Sequence, residues 1–461
     1  MATRTRKESD SIGVLNVPIN AYYGVQSLRG YNNFQISGNK MNANFIKNIV
    51  IIKKACALTN LYARNITKEM ASAIVQACDE ATEGKFDSDF ITDAIQGGAG
   101  TTVNMNVNEV IANRATEILG GKKGEYICHP NDHVNCSQST NDVIPTAGKL
   151  TALDMFSNLK QKVIDLIQSL DNKAIEFNDI LKMGRTQLED AVPIRLGQEF
   201  SAWSSGIKRA LNLVECATEQ MLSINLGGTA IGTTINANKV YVNSVVPTLA
   251  EIKNKPLKQA ENLIDATQNV DVFVYLSGAL KTLAVQLSKM CNDLRLMSSG
   301  PKTGIGEIIL PAMQNGSSIM PGKVNPVIPE VVSQVAFAVI GNDVTIAMAA
   351  EAGQLELNAF EPIIFYKLFE SFTCLTNAVD TLKKNCIDGI VSNKEHCENL
   401  LYNSVGIITA LCPIIGYKKS AELAKRALKE NKRVKELILE EKLIDKEQLD
   451  KILNPYSMTG K

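Results

Sequence analysis

Four short segments of this chain set hydroxyls and amides beside glycine: QGGAGTTVNMNVNEV at 96–110, NCSQSTND at 135–142, GRTQ at 184–187 and NGSSIMPGKVNP at 315–326. A packed core does not select such residues. Backbone N–H groups at helix starts and glycine turns are free to bind an anion, and Ser, Thr and Asn side chains add directional donors. Taken one at a time, Ser139, Thr140, Asn141 and Thr186 are better explained as helix N-caps, for which these residue types are preferred. Four such islands in one chain point to a shared polar site.

The last island is the most informative. It ends a Gly- and Pro-rich stretch, SGPKTGIGEIILPAMQNGSS, that has no periodic pattern and reads as a long functional loop or lid. Within it Gly316 permits an unusual backbone angle, Ser317 and Ser318 present hydroxyls, and Lys323 supplies a cation, while Pro326 and Pro329 set the start of the next helix. Composition alone would class Ser317 and Ser318 as ordinary loop residues.

Long helices must position these loops. Leu196, Phe200, Trp203, Ile207, Ala210, Val214, Ala217 and Met221 alternate spacings of four and three, a heptad seam on one helix face. A second seam runs Leu276, Leu280, Leu283, Leu287, Met290, Leu294 and Met297, and a third runs Leu368, Phe372, Leu375, Val379, Leu382 and Cys386. A looser one spans Leu153 to Phe177, and an apolar stretch follows Pro329. Together they predict about five helices, several near 25 residues or about 38 Å long, well beyond the globular mean. Seams on more than one face bury poorly in a monomer, so a homo-oligomer is expected.

The 461 residues exceed one hydrophobic core and imply about three domains. Residues 1–141 mix short helices, such as one begun by Thr67, with Gly-rich turns; 142–395 hold the long helices; 396–461 are Lys- and Glu-rich with short amphipathic pieces. Lys plus Arg and Asp plus Glu balance at 48 each, so no global field steers the chain to nucleic acid. Apolar runs are broken by charge before eighteen residues, so no membrane span is expected. The ten scattered cysteines and the charged start MATRTRKESD predict a cytoplasmic protein with reduced thiols. His129 and His133 lie four apart, but Pro130, Asn131 and Asp132 favour a turn between them and nothing completes a metal set.

GSSIMPGKVNP resembles the signature of the fumarase and aspartase superfamily, and GAGTTVNMNVNEV, NDHVNCSQSTND and GRTQLEDAVP stand in that family's order and spacing. The likeness runs from AYYGVQSLRG near residue 21 to SVGIITALCPIIGY near 404. It implies an all-α, three-domain fold whose central five-helix unit joins three copies of itself in a homotetramer with a twenty-helix core, each active site drawing on three subunits. It implies the anti elimination of a group from the carbon next to one that loses a proton, with Ser317 as base. By the same resemblance Thr101, Ser139, Thr140 and Ser318 surround the β-carboxylate, Thr186, Lys323 and Asn325 hold the α-carboxylate, and Asn141 lies near the amino group.

Gln187 stands where fumarases commonly carry His. An amide exchanges no protons at neutral pH, and ammonia needs less acid help to leave than hydroxide, so the substrate expected is L-aspartate, giving fumarate, rather than malate. AAEAGQLELNAFEP at 349–362 and NPVIPEVVSQV at 325–335 also resemble aspartases. Thr102 and Cys136 depart from residues common in relatives. HPND at 129–132 resembles a second dicarboxylate or activator site of the family, with His129 read as structural. No cofactor is required, though a divalent cation could act as activator. The alternatives are a fumarase or other superfamily lyase, and an inactive structural relative.

Overall fold

The computed structural model describes residues 4–460. The ends of the expected first and last domains, residues 1–3 and 461, lie outside the described residues.

The frame is helical, as expected. Chain order begins with α1 (Val25–Asn33), α2 (Ala43–Tyr62), α3 (Lys68–Thr82) and α4 (Thr101–Ile118). Then come α5 (Thr140–Glu176), α6 (Leu196–Glu219), α7 (Lys239–Lys253), α8 (Asp265–Gln268), α9 (Asp271–Met297), α10 (Val327–Glu351) and α11 (Glu361–Asn385). Among the described residues, β structure is limited to two isolated bridges, Lys40 with Asp93 and Gln354 with Leu357, and four two-stranded pairs. Three are antiparallel: β1 (Thr5–Asp10) with β2 (Gly13–Pro18), β3 (Leu181–Thr186) with β4 (Glu189–Arg195), and β7 (Ile308–Ile309) with β8 (Val391–Ser392). The parallel pair is β5 (Ser223–Ile224) with β6 (Lys258–Gln259).

The seams become the five long helices. In α6, Leu196, Phe200, Ile207, Ala210, Val214 and Ala217 are all buried, and every member of the α9 and α11 seams is buried as well. Each buried Leu or Phe contributes about 1.5–3 kcal/mol by leaving water. The loose seam from Leu153 is the later part of a 37-residue helix that starts at Thr140 and carries Pro145 inside it. Pro329 sits in the first turn of α10, where a missing N–H costs nothing because no partner would exist for it. Thr67 caps α3 as expected, its hydroxyl accepting from Met70 N.

The chain forms two compact units. One comprises the described residues up to Leu159 with Asn212–Thr282 and Phe337–Cys374; the other comprises Lys160–Leu211, Leu283–Ala336 and the described residues from Leu375. The boundary falls inside each of the five long helices. In the second unit the C-terminal part builds its own apolar cluster, with Leu401, Leu411, Leu423, Leu437, Ile438 and Leu449 packed on Leu181 and Met183 of β3.

One helix stands out by its composition. α10 is long and apolar enough in composition to cross a membrane, because Asp343 alone interrupts its middle. That charge is matched locally. The Asp343 carboxylate accepts from Ser277 Oγ at 2.7 Å and from Lys281 Nζ at 2.5 Å, both on α9. Along the same helix Val331, Phe337, Ile340, Val344 and Met348 lie exposed.

Candidate active site

The first unit carries the first two polar islands. The chain enters α4 through three successive left-handed residues, Gly98, Ala99 and Gly100, at φ 81°, 53° and 87°. Gly100 is required twice over: its φ disfavours a side chain, and a Cβ there would meet Ile144 Cγ2 at 3.0 Å. The turn leaves Thr101 exposed at the first position of the helix, its Oγ1 donating to Gly98 O at 2.8 Å.

The asparagines of NMNVN are structural donors. Asn104 and Asn108 each donate to Asn135 Oδ1 at 3.2 Å, and Asn104 Nδ2 is also 3.3 Å from Thr140 Oγ1. From α2, the buried Lys53 ammonium donates to the same Asn135 oxygen and to Gln138 Oε1, both at 2.9 Å. Among the described residues no carboxylate lies within ion-pair distance of Lys53, and burial pulls its pKa down to about 8. A buried cation and two amides therefore hang the 135–138 segment in front of α5.

At the start of α5, Ser139 is a helix cap, as the simpler reading held. Its Oγ accepts from Asn141 N at 3.2 Å, while its own N–H donates to Asp142 Oδ1 at 3.0 Å, a reciprocal capping box. Asp142 is fully buried and its other oxygen accepts from Gly227 N and Thr229 N. Burial outweighs those bonds and pushes its carboxyl up to about 6. Asn141 Nδ2 donates to Ala230 O at 2.7 Å, which leaves its amide oxygen free to accept. The loop 225–230, NLGGTA, is thus a fifth polar, glycine-rich segment at the site; its composition was a visible signal that sequence reasoning passed over.

The second unit carries the other two islands. Thr186 is not a helix cap. It ends β3 at the tip of a hairpin whose two loop residues, Gln187 and Leu188, both have positive φ, 54° and 69°. Such a loop matches the twist of the flanking strands and holds Thr186 and Gln187 out into solvent. Neighbouring Arg185 is committed inward, its Nη1 donating to the buried Glu307 carboxylate at 2.7 Å.

The 315–326 loop closes on itself. Gly316 N donates to Lys323 O at 2.9 Å, and Asn325 Nδ2 donates to Gly316 O at 2.8 Å. A Cβ on Gly316 would meet Lys323 O at 2.4 Å. Inside this ring Ser317 Oγ, half-buried, accepts two backbone N–H groups: Met320 at 2.9 Å and Ile319 at 3.2 Å. Ser318 and Lys323 are exposed. A hydroxyl oxygen that receives two N–H donors has its negative charge stabilised in advance.

Thr101, Ser139, Thr140 and Asn141 therefore gather in one unit, and Thr186, Gln187, Ser317, Ser318, Lys323 and Asn325 belong to the other. His129 and His133 stay out of both sets. They cap a single helical turn at Pro130–Val134, His129 Nδ1 accepting from Asp132 N and His133 Nδ1 from His129 N. Among the described residues no group of three His, Cys, Asp or Glu side chains is arranged to hold a metal ion.

Comparison with known proteins gives the family. Residues 13–341 match the family described as Lyase, and residues 407–460 match the family described as Fumarase C C-terminus. The chain belongs to this lyase family. An aspartate ammonia-lyase of Helicobacter pylori is 51% identical over 98% of this chain and 97% of its own, and one of Escherichia coli is 49% identical over 99% and 97%. Among solved structures, a class II fumarase from Schistosoma mansoni superposes with TM-score 0.96 at 35% identity over 99% of both chains. A fumarate lyase:delta crystallin from Brucella melitensis bound to cobalt gives TM-score 0.96 at 46% identity, covering 99% of this chain and all of that one.

Proposed function

We propose that this enzyme is a carbon–nitrogen lyase that removes ammonia from L-aspartate to give fumarate, with Ser317 as the base. The observation that carries the reading is the pair of backbone N–H groups, Ile319 and Met320, that converge on Ser317 Oγ. Nearly full-length identity of about half with aspartate ammonia-lyases, against 35% with the fumarase, supports the choice of leaving group.

In this reading the Ser317 alkoxide takes a proton from the substrate Cβ, and the electron pair left behind spreads into the adjacent carboxylate as a doubly charged aci-carboxylate. Catalysis depends on donors that bind this charge more tightly as it develops. Thr101, Ser139, Thr140 and Ser318 are assigned that task; their hydroxyls donate directionally without adding a full cation. The electron pair then returns to form the double bond, the C–N bond breaks, and ammonia departs with its electrons. The proton on Ser317 passes to ammonia or solvent, restoring the alkoxide.

Lys323 is assigned to the permanent α-carboxylate as a point charge, with Thr186 and Asn325 beside it. Gln187 contacts the same end of the substrate and Asn141 Oδ1 accepts from its ammonium. This chemistry calls on side chains and backbone N–H groups and needs no organic cofactor; a divalent cation is an activator at most. The exposed apolar stripe on α10 supports association between copies, which the family likeness makes a homotetramer with each site completed by three subunits. The composition changes near 141 and 395 support three domains bounded there. Ten cysteines, all free thiols, support a cytoplasmic location.

The test is fumarate formation, followed by ultraviolet absorbance, with L-aspartate and L-malate offered separately to the same preparation. Turnover of aspartate alone supports the ammonia-lyase reading. Turnover of malate alone makes the protein a fumarase and removes the argument from Gln187.

A further inference from the structure

Asn135 lies just ahead of α5, and its side-chain oxygen collects three donors. Lys53 Nζ of α2 reaches it at 2.9 Å, and Asn104 Nδ2 and Asn108 Nδ2 of α4 each reach it at 3.2 Å. The direction of these amides is set from one end. An ammonium only donates, so the Asn135 atom that faces the buried Lys53 must be the oxygen, and that oxygen in turn requires the Asn104 and Asn108 NH2 groups to face it.

The arrangement destabilises its surroundings. Asn104 Oδ1 and Asn108 Oδ1 are turned away from Asn135, buried, and find no hydrogen-bond partner among the described residues. An orphaned buried oxygen opposes folding, so stability alone would favour apolar side chains at both positions. What the network fixes is the relation between two segments. Asn104 lies one turn beyond Thr101 on α4, and its Nδ2 is also 3.3 Å from Thr140 Oγ1. Asn135 Nδ2 donates to Gln138 O at 3.3 Å, directly before Ser139. Lys53, α4 and residues 135–141 all belong to the first unit, so one chain builds this contact by itself.

We propose that Asn135 is a positioning residue: by gathering Lys53, Asn104 and Asn108 on one oxygen, it sets Ser139 and Thr140 against Thr101. The catalytic consequence rests on the ammonia-lyase reading above, in which these three hydroxyls stabilise the charge that develops on the β-carboxylate. The mechanical part does not. In that reading Asn135 touches no substrate atom and moves no proton. Donors of this kind act only at the distances the charged state requires, and loss of one lowers kcat by about 10²–10³. A ground-state carboxylate, with half the charge, is less sensitive to their spacing.

The experiment compares wild type, Asn135→Leu, Asn135→Asp and Asn108→Leu by steady-state kinetics with L-aspartate, by urea unfolding, and by inhibition with two probes. Succinate is an unreactive dicarboxylate; the nitronate of 3-nitro-2-aminopropionate carries two negatively charged oxygens where the aci-carboxylate does. In Asn135→Leu, kcat and nitronate affinity should fall together by about 100-fold, while the succinate inhibition constant changes far less. Asn135→Asp keeps an oxygen toward Lys53 and should stay within about tenfold of wild type in kcat. If Asn135→Leu does not fold, Asn108→Leu decides the matter. It removes one donor together with an orphaned oxygen, so its urea midpoint should hold while kcat falls about tenfold, a combination that a merely structural role would not give. kcat and nitronate affinity within about threefold of wild type in the folded Leu variants would overturn the proposal. Absence of aspartate turnover in wild type would overturn the reading of the reaction instead. Hydrogen exchange over 135–142 then still decides the role of Asn135: faster exchange in Asn135→Leu upholds it, and wild-type exchange removes it.

Discussion

Met320 N points at Ser317 Oγ from 2.9 Å, three residues further along the same tight loop. A serine hydroxyl is a poor base in water, and this bond, with its companion from Ile319, is the feature that makes its deprotonated form accessible. The geometry depends on Gly316, Lys323 O and Asn325 closing the loop behind it.

Gly316→Ala should therefore abolish most activity without unfolding the protein. The added methyl would meet Lys323 O at 2.4 Å and Asn325 N at 2.7 Å, and both are backbone atoms that move only if the ring opens. The expected outcome is a fall in kcat/KM of about 100-fold or more, with a thermal midpoint within a few degrees of wild type. Parallel kinetics and calorimetry check it, and unchanged kinetics would mean the ring is not needed.

Gln187→Met should be mild in kcat. If ammonia leaves without acid assistance, removing the amide costs a contact to the substrate rather than a proton donor, so KM rises while kcat stays within about tenfold. A kcat loss of about 10²–10⁴ would show that this position takes part in proton transfer.

The pH dependence of stability should carry the mark of Asp142. Burial raises its carboxyl from 3.8 to about 6 in the folded chain. The folded state therefore binds this proton more tightly than the unfolded state does, and its stabilising effect, on the order of 3 kcal/mol, is complete below 3.8 and lost as pH rises through about 6. Asp142→Asn cannot titrate, so urea unfolding of the variant across that window should lack this part of the slope. Equal slopes in both proteins would contradict the assignment.

Phe337→Glu, on the exposed stripe of α10, should dissociate the assembly while leaving the helix formed. Sedimentation should shift toward smaller species, with activity falling in step if, as proposed, each site is drawn from three subunits. A tetramer that persists with Glu at this position would place the interface elsewhere.

Much of the helical frame was legible in the sequence because heptad spacing maps directly onto buried faces: the α6, α9 and α11 seams appear as core residues almost without exception. The polar islands were legible by composition. Their local structure was less so. GRTQ has the residues of a cap but folds as a hairpin tip, since Gln187 and Leu188 adopt a left-handed pair that neither residue type announces. The start of α5 was legible in its cap residues, Ser139 with Asp142, although the first clear apolar repeat begins thirteen residues or so further on. Glu307 left no trace, because its partner Arg185 is 122 residues away and only folding brings them together. The partners of Asp343 in α10 were likewise hidden, because Ser277 and Lys281 lie more than sixty residues away in sequence.

The central claim is that the Ser317 hydroxyl, held by the Ile319 and Met320 N–H groups, is the base. Its most direct measurement is the rate of fumarate formation from L-aspartate by Ser317→Ala, purified and shown by circular dichroism and sedimentation to keep the wild-type fold and assembly. The account predicts a fall in kcat of about 10²–10⁴-fold or more, with aspartate binding largely kept. Turnover within tenfold of wild type would contradict it and assign proton abstraction to another residue.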